Sequence, residues 1–143
     1  MPPMDKVAFL KKVPLFRNLS EKQIKLIANR MVERKYKAGE KIVTQGAGGE
    51  GFFVIVNGKA DAVFENSQGE EVVVNSFEAM DFFGELALLS EGTRTASIVA
   101  KEDVTAQALT RWDFRAVVVE DAEMAVSILE EMSQRFRRLL STL

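Results

Sequence analysis

Six short runs rich in β-branched and aromatic residues follow one another near positions 41–45, 52–57, 59–65, 71–76, 96–100 and 104–110. Gly39, the glycine-rich residues 46–51, Asn57-Gly58 and residues 66–69 punctuate them. This rhythm of short strands and turns is that of a sandwich or barrel. Helical patterns bracket it on both sides. Upstream, a short segment from about residue 5 to 12 stops at Pro14. A second helix then starts at the capping box Ser20-Glu21-Lys22-Gln23, with Leu19 and Ile24 as its hydrophobic staple and Ile24, Ile27, Ala28 and Met31 on one apolar face. Downstream, a piece near 113–119 leads to an N-cap at Asp121. Beyond it Ala125, Ile128, Met132, Phe136, Leu139 and Leu143 recur at three- and four-residue steps, the pattern of one long amphipathic helix. Strands in an unbroken series with helices at the ends predict an α+β fold rather than alternating βαβ units. The expected layout is N-terminal helices over about 5–33, a β-sandwich or barrel over about 36–110 and C-terminal helices over about 113–141.

Length and composition restrict what this layout can do. With 143 residues and 47% hydrophobic content, one domain over 1–143 has a sizeable core and two ordinary ones do not fit. Only Met1-Pro2-Pro3 reads as disordered. A net charge of −2 offers no overall attraction for nucleic acid or an anionic membrane, so phosphate recognition has to come from a local site. The apolar runs are far shorter than a membrane span and the N-terminus has no signal-peptide pattern, which points to a cytoplasmic location without membrane insertion. The chain has no cysteine and no histidine, so zinc ligands and the usual partners of activated nucleophiles are missing. No clustered carboxylates suggest a magnesium site either. No catalytic residue and no metal are expected.

The segment from Phe83 to Ser97 assembles the parts of an anion site within fifteen residues. Gly84 allows a close approach of backbone to ligand, and residues 85–89 form a short helix whose leading N–H groups favour an anion. Arg94 returns a permanent charge with fork geometry. Glu85, in the first turn, would be repelled by a bound phosphate unless it had its own partner, and a sugar hydroxyl supplies one. A 3′,5′-cyclic nucleotide satisfies all three. Singly, Glu85 and Arg94 would more often be a structural ion pair or solvated charges; their combination with Gly84, the short helix and Thr95-Ala96-Ser97 argues for a ligand cassette. Glu91, beside Gly92, reads as solvated.

The same residues resemble the phosphate-binding cassette of the cyclic nucleotide-binding domain found in kinase regulatory subunits, cyclic-nucleotide-gated channels and the bacterial catabolite activator. The likeness spans nearly the whole chain and is strongest over 39–58 and 83–100. It implies an eight-stranded jelly-roll β-barrel flanked by N-terminal helices and a C-terminal hinge and lid helix. It also implies Glu85 on the ribose 2′-hydroxyl, Arg94 on the exocyclic phosphate oxygens, and backbone amides around Gly84, Leu86, Ala87 and Ala96. In the family the last helix folds over the base, which makes Arg135, Phe136 and Arg137 the candidate caps, since Phe and Arg stack on purines. One departure stands out: a glycine commonly sits three residues before Phe-Gly-Glu, and here that residue is Met80.

Two features need care. Gly46-Ala47-Gly48-Gly49-Glu50-Gly51 fits G-x-G-x-x-G, but the strand-forming Phe52-Phe53-Val54-Ile55-Val56 follows where a dinucleotide fingerprint needs a helix. The glycines read as a turn. Thr95 can bond phosphate only if the strand after Arg94 starts later, because alternation would otherwise turn it to the opposite face. The expected function is thus a non-enzymatic module that binds cAMP in preference to cGMP and relays the event through its C-terminal helix to an effector protein or parent domain. An interaction protein that keeps the fold but binds no nucleotide is the alternative; a phosphodiesterase or jelly-roll oxygenase is more remote, because the usual metal ligands are missing.

Overall fold

The computed structural model describes residues 5–47 and 51–143. The expected disorder at Met1-Pro2-Pro3 and the middle of the glycine-rich turn, residues 48–50, lie outside them. The chain divides into two compact units: Met31–Trp112, and a unit formed by both chain ends, Met1–Arg30 with Asp113–Leu143.

The first unit holds eight strands: β1 (Val32–Tyr36), β2 (Lys41–Val43), β3 (Gly51–Asn57), β4 (Ala60–Glu65), β5 (Glu71–Phe77), β6 (Phe82–Phe83), β7 (Ser97–Ala100) and β8 (Val104–Thr110). They form two antiparallel four-stranded sheets, ordered β1-β8-β3-β6 and β2-β7-β4-β5, rather than one continuously paired closed barrel. Inward-facing side chains of both sheets, among them Ile42, Phe53, Ile55, Phe83, Ile98 and Val104, form one buried cluster. Strand alternation produces it: β8 buries Val104, Ala106 and Ala108 at every second position. Two strands go beyond the sequence-based expectation. β1 begins in the stretch assigned to the end of a helix, about residue 33, and fills the gap before the expected β region, because that helix closes at Ala28 and Val32 to Tyr36 pair in register with Ala108 to Val104. The two-residue β6 pairs Phe83 with Phe53 and Phe82 with Val54; it is too short to show periodicity.

In the helical unit, α1 (Lys6–Leu10), a 3-10 turn (Pro14–Phe16) and α2 (Glu21–Ala28) precede the strands. After them come α3 (Arg111–Val118), which starts at the end of the first unit, and α4 (Ala122–Ser141). The capping box of α2 is formed: Gln23 N–H donates to Ser20 Oγ at 3.2 Å, and Ser20 N–H donates to Gln23 Oε1 at 2.9 Å. Asp121 caps α4 through Met124 N–H at 3.1 Å, and its other oxygen accepts from Gln23 Nε2 at 3.2 Å. Phe16 and Phe114 sit with ring centroids 5.9 Å apart.

α4 differs from the expected amphipathic pattern. Of the six stripe residues only Ile128 is buried; Phe136, Leu139 and Leu143 are exposed. The buried positions are Met124, Ile128 and Glu131. Apolar residues occupy more than one side of this helix, so spacing alone does not identify the packed side. Glu131 is fully buried, 3.9 Å from Arg135 Nε and 3.8 Å from Arg138 Nη2. Neither carboxylate oxygen accepts a hydrogen bond among the described residues.

Candidate functional site

Residues 84–96 cross from one sheet to the other. β6, at the edge of the first sheet, delivers Phe83, which stacks on Phe53 at 5.2 Å and tilts against Phe77 at 5.3 Å. Gly84 follows with φ +85°, a left-handed conformation that turns the chain at once into the 3-10 helix Glu85–Leu88. Leu88 is buried and anchors that helix, while Leu86 is exposed. A Cβ on Gly84 would strike the Gly51 carbonyl oxygen and lie 2.8 Å from Arg94 Nη1. The glycine is therefore required twice, for its φ and for the space the guanidinium occupies.

Arg94 is the knot of the site. Its Nη2 donates to the Gly51 carbonyl at 2.7 Å, its backbone N–H donates to Ala47 O at 3.0 Å, and its carbonyl accepts from Gly46 N–H at 2.8 Å. The residues flanking the undescribed stretch 48–50 are thus tied to Arg94 by side chain and backbone. Behind it, Gln45 donates from its backbone N–H to the buried Ser97 hydroxyl at 2.9 Å. The Gln45 side chain bonds both the N–H and the carbonyl of Glu65, at 2.7 and 2.8 Å.

Gly84, Glu85, Leu86, Ala87, Arg94 and Thr95 all line one cavity of about 440 Å³. The remaining sequence-predicted residue, Ala96, lines an adjoining cavity of about 200 Å³, whose wall also includes Arg94 and Thr95. β7 begins at Ser97, two residues after Thr95, so the later strand start that a ligand-facing Thr95 needs is met. Glu91 is exposed, as expected, and its carboxylate also accepts from Arg111 Nη2 at 2.7 Å, while the Arg111 guanidinium lies 4.5 Å from the Trp112 ring. Sequence reasoning also passed over Gly51, whose carbonyl fixes Arg94; its glycine run read simply as a turn. Ser90, Gly92 and Thr93 complete the cavity lining and lie within the segment already singled out. The cap candidates Arg135, Phe136 and Arg137 are on α4 in the helical unit, Arg135 partly buried and the other two exposed.

The family model of the Cyclic nucleotide-binding domain matches residues 33–121. The chain belongs to this family. A cAMP-dependent protein kinase regulatory subunit from Aspergillus niger is 43% identical over 116 residues, covering 80% of this chain and 28% of that protein. The cGMP-dependent protein kinase, isozyme 2 forms cD5/T2, from Drosophila melanogaster is 33% identical over 131 residues, covering 90% of this chain and 13% of the relative. Among solved structures, the N-terminal domain of a transcriptional regulator from Streptomyces coelicolor A3(2) superposes with a TM-score of 0.83 at 25% identity and 94% coverage of both chains. This cyclic nucleotide-binding domain is accordingly a regulatory unit and not a catalytic one, and it spans little more than a quarter of the first kinase regulatory subunit it matches. No helix among the described residues is long and apolar enough to cross a membrane.

The departure at Met80 has a structural counterpart. Met80 has φ +76° and is the single non-glycine residue with positive φ among the described residues. A side chain in that region costs about 1–2 kcal/mol. The turn is held by neighbours: Met80 N–H donates to Ile55 O at 2.8 Å, Ile55 N–H to Asp81 O at 2.9 Å, and the Asp81 carboxylate accepts from Glu78 N–H at 2.8 Å. Methionine therefore occupies a left-handed position two residues before β6, in a turn held by hydrogen bonds.

Proposed function

We propose that the cavity between the Glu85–Leu88 helix and Arg94 takes a 3′,5′-cyclic nucleotide, and that this chain is a sensor for it. What carries the reading is the convergence of Glu85, Arg94 and the backbone after Gly84 on one cavity of about 440 Å³, within the roughly 300–1,000 Å³ of small-ligand sites. Arg94, with its plane held by the Gly51 carbonyl, pairs with the exocyclic phosphate oxygens. The leading amides of the 3-10 helix and the Ala96 amide add donors, and Thr95 supplies a hydroxyl. Glu85 accepts from the ribose 2′-hydroxyl. The base extends toward the smaller cavity shared by Arg94, Thr95 and Ala96, and α4 caps it through Arg135, Phe136 or Arg137.

The ligand is cAMP in preference to cGMP, a ranking supported by the higher identity to the cAMP-dependent relative. Binding biases the position of α4, and that bias is passed to an effector protein or to other parts of a longer polypeptide in the cytoplasm. The output involves no nucleic acid contact by this domain and no chemistry on the ligand.

A thermal-shift series with cAMP, cGMP and non-cyclic AMP tests the reading. Ligand at a hundred times its dissociation constant adds about 2.7 kcal/mol of apparent stability, so cAMP raises the midpoint by several degrees, cGMP does so only at higher concentration, and AMP does not. No shift with either cyclic nucleotide would leave a protein that keeps the fold for protein interaction alone. Glu85→Gln probes the sugar contact: Gln keeps an acceptor oxygen but loses the charge, so it weakens cAMP by about 1 kcal/mol, the difference between a hydrogen bond to a charged and to a neutral acceptor, and weakens 2′-deoxy-cAMP less. Equal losses for the two ligands would contradict the ribose assignment.

A further inference from the structure

Beyond Arg135 every residue of α4 is exposed, yet the sequence there stays apolar. Phe136, Leu139 and Leu140 are 62%, 66% and 50% exposed, and Leu143, two residues past the helix end, continues the series. These are positions i, i+3, i+4 and i+7 of one helical face, the anchor spacing of a helix that lies in a groove. Exposed Leu129 and partly buried Met132 extend the same face upstream. It is not the side the chain covers with itself: at roughly 3.6 residues per turn, the buried Met124, Ile128 and Glu131 lie about 100° further round the helix.

Charge sets this segment apart. The whole chain has a net charge of −2, but residues 132–143 contain Arg135, Arg137 and Arg138 and no acidic side chain. Arg135 and Arg137 fall on opposite edges of the apolar face. We infer that the end of α4 docks in an acidic, apolar-lined helix-binding groove of another protein. The floor of such a groove takes Phe136, Leu139, Leu140 and Leu143, and carboxylates on its rims meet the arginines. Docking carries the helix through Thr142 to Leu143, which brings the fourth anchor into line. An anionic lipid surface is the other partner that suits a basic amphipathic helix. The edge charges favour the groove. Glu123 and Glu130 precede Arg137 at steps of seven, on the same edge of the helix. A charged plane running along α4 would meet both carboxylates for that one arginine, whereas a groove that covers only the last two turns ends before them. The contact rests on α4 alone and needs no nucleotide, so it stands or falls separately from the cyclic-nucleotide reading.

Calcium-loaded calmodulin has a groove of this chemistry, methionine-lined and opened by the metal, and serves as the probe. In a calorimeter the 143-residue chain is expected to form a one-to-one complex with it, with a dissociation constant of about 10 μM or tighter. Removing calcium closes the groove and abolishes the complex. Leu139→Asp and Leu140→Asp, at exposed positions, keep the helix content seen by circular dichroism and weaken binding by about tenfold or more, because each places a carboxylate on an apolar floor. Arg137→Glu weakens it by about tenfold and flattens its dependence on salt. Vesicles containing phosphatidylserine leave the chain unbound. Four results would each overturn the inference: no complex at about 100 μM calmodulin, undiminished binding by Leu140→Asp, tighter binding to the vesicles than to calmodulin, or a second copy of the chain already seated on this face, seen as a dimer that Leu139→Asp dissolves.

Discussion

Titrated with cAMP in a calorimeter, Arg94→Ala binds about 2–5 kcal/mol more weakly than the unaltered chain, because removing one partner of a desolvated charge pair leaves the other unpaired. That corresponds to roughly 30- to 5,000-fold in dissociation constant. The substitution also removes the hydrogen bond to the Gly51 carbonyl, so part of its effect is on the cradle itself. Arg94→Lys separates the two contributions. It keeps the charge but not the fork that spans Gly51 and a phosphate oxygen together, and it should recover only part of the affinity. Near-unchanged binding by Arg94→Ala, with the fold intact, would remove this residue from the phosphate site.

The second large effect is on stability. Gly84→Ala combines the cost of a side chain at φ +85°, about 1–2 kcal/mol, with overpacking against the Gly51 carbonyl and Arg94, about 1–3 kcal/mol. Urea denaturation should show a total loss of about 2–5 kcal/mol, with weakened cAMP binding because Arg94 must move. Gly39→Ala is the control: Gly39 has φ +89° but nothing within 4 Å of an added Cβ, so only the backbone cost applies. If the two variants lost equal stability, the close approach of Gly84 to Arg94 would have no energetic weight.

Much of this arrangement could be read from residues alone, for identifiable reasons. Six strands were legible because each is long enough for alternation or a β-branched run, and Ser20 and Asp121 announced their helices through side-chain chemistry that acts locally. β1 and β6 were not. Val32–Tyr36 carries three charged residues among its five and becomes a strand through pairing with β8, and Phe82–Phe83 is fixed by a partner some thirty residues earlier. The cassette residues were visible because they are close in sequence. The Gly51 carbonyl was not, since a backbone atom carries no signature of the arginine that will reach it. The buried side of α4 was misjudged for a related reason: Glu131 is covered in the fold while Phe136 is not, an inversion of hydropathy that only tertiary structure reveals.

Met80 bears on how such domains are recognised. A pattern that demands glycine three places before Phe-Gly-Glu would pass over this chain, although the left-handed turn is formed there and held by Ile55, Glu78 and Asp81. In this chain the place holds a left-handed backbone dihedral, which glycine adopts most freely and methionine adopts here. Searches for degenerate relatives would gain sensitivity by scoring the turn's supports, an aspartate one residue later and a paired aromatic beyond it, instead of the glycine itself.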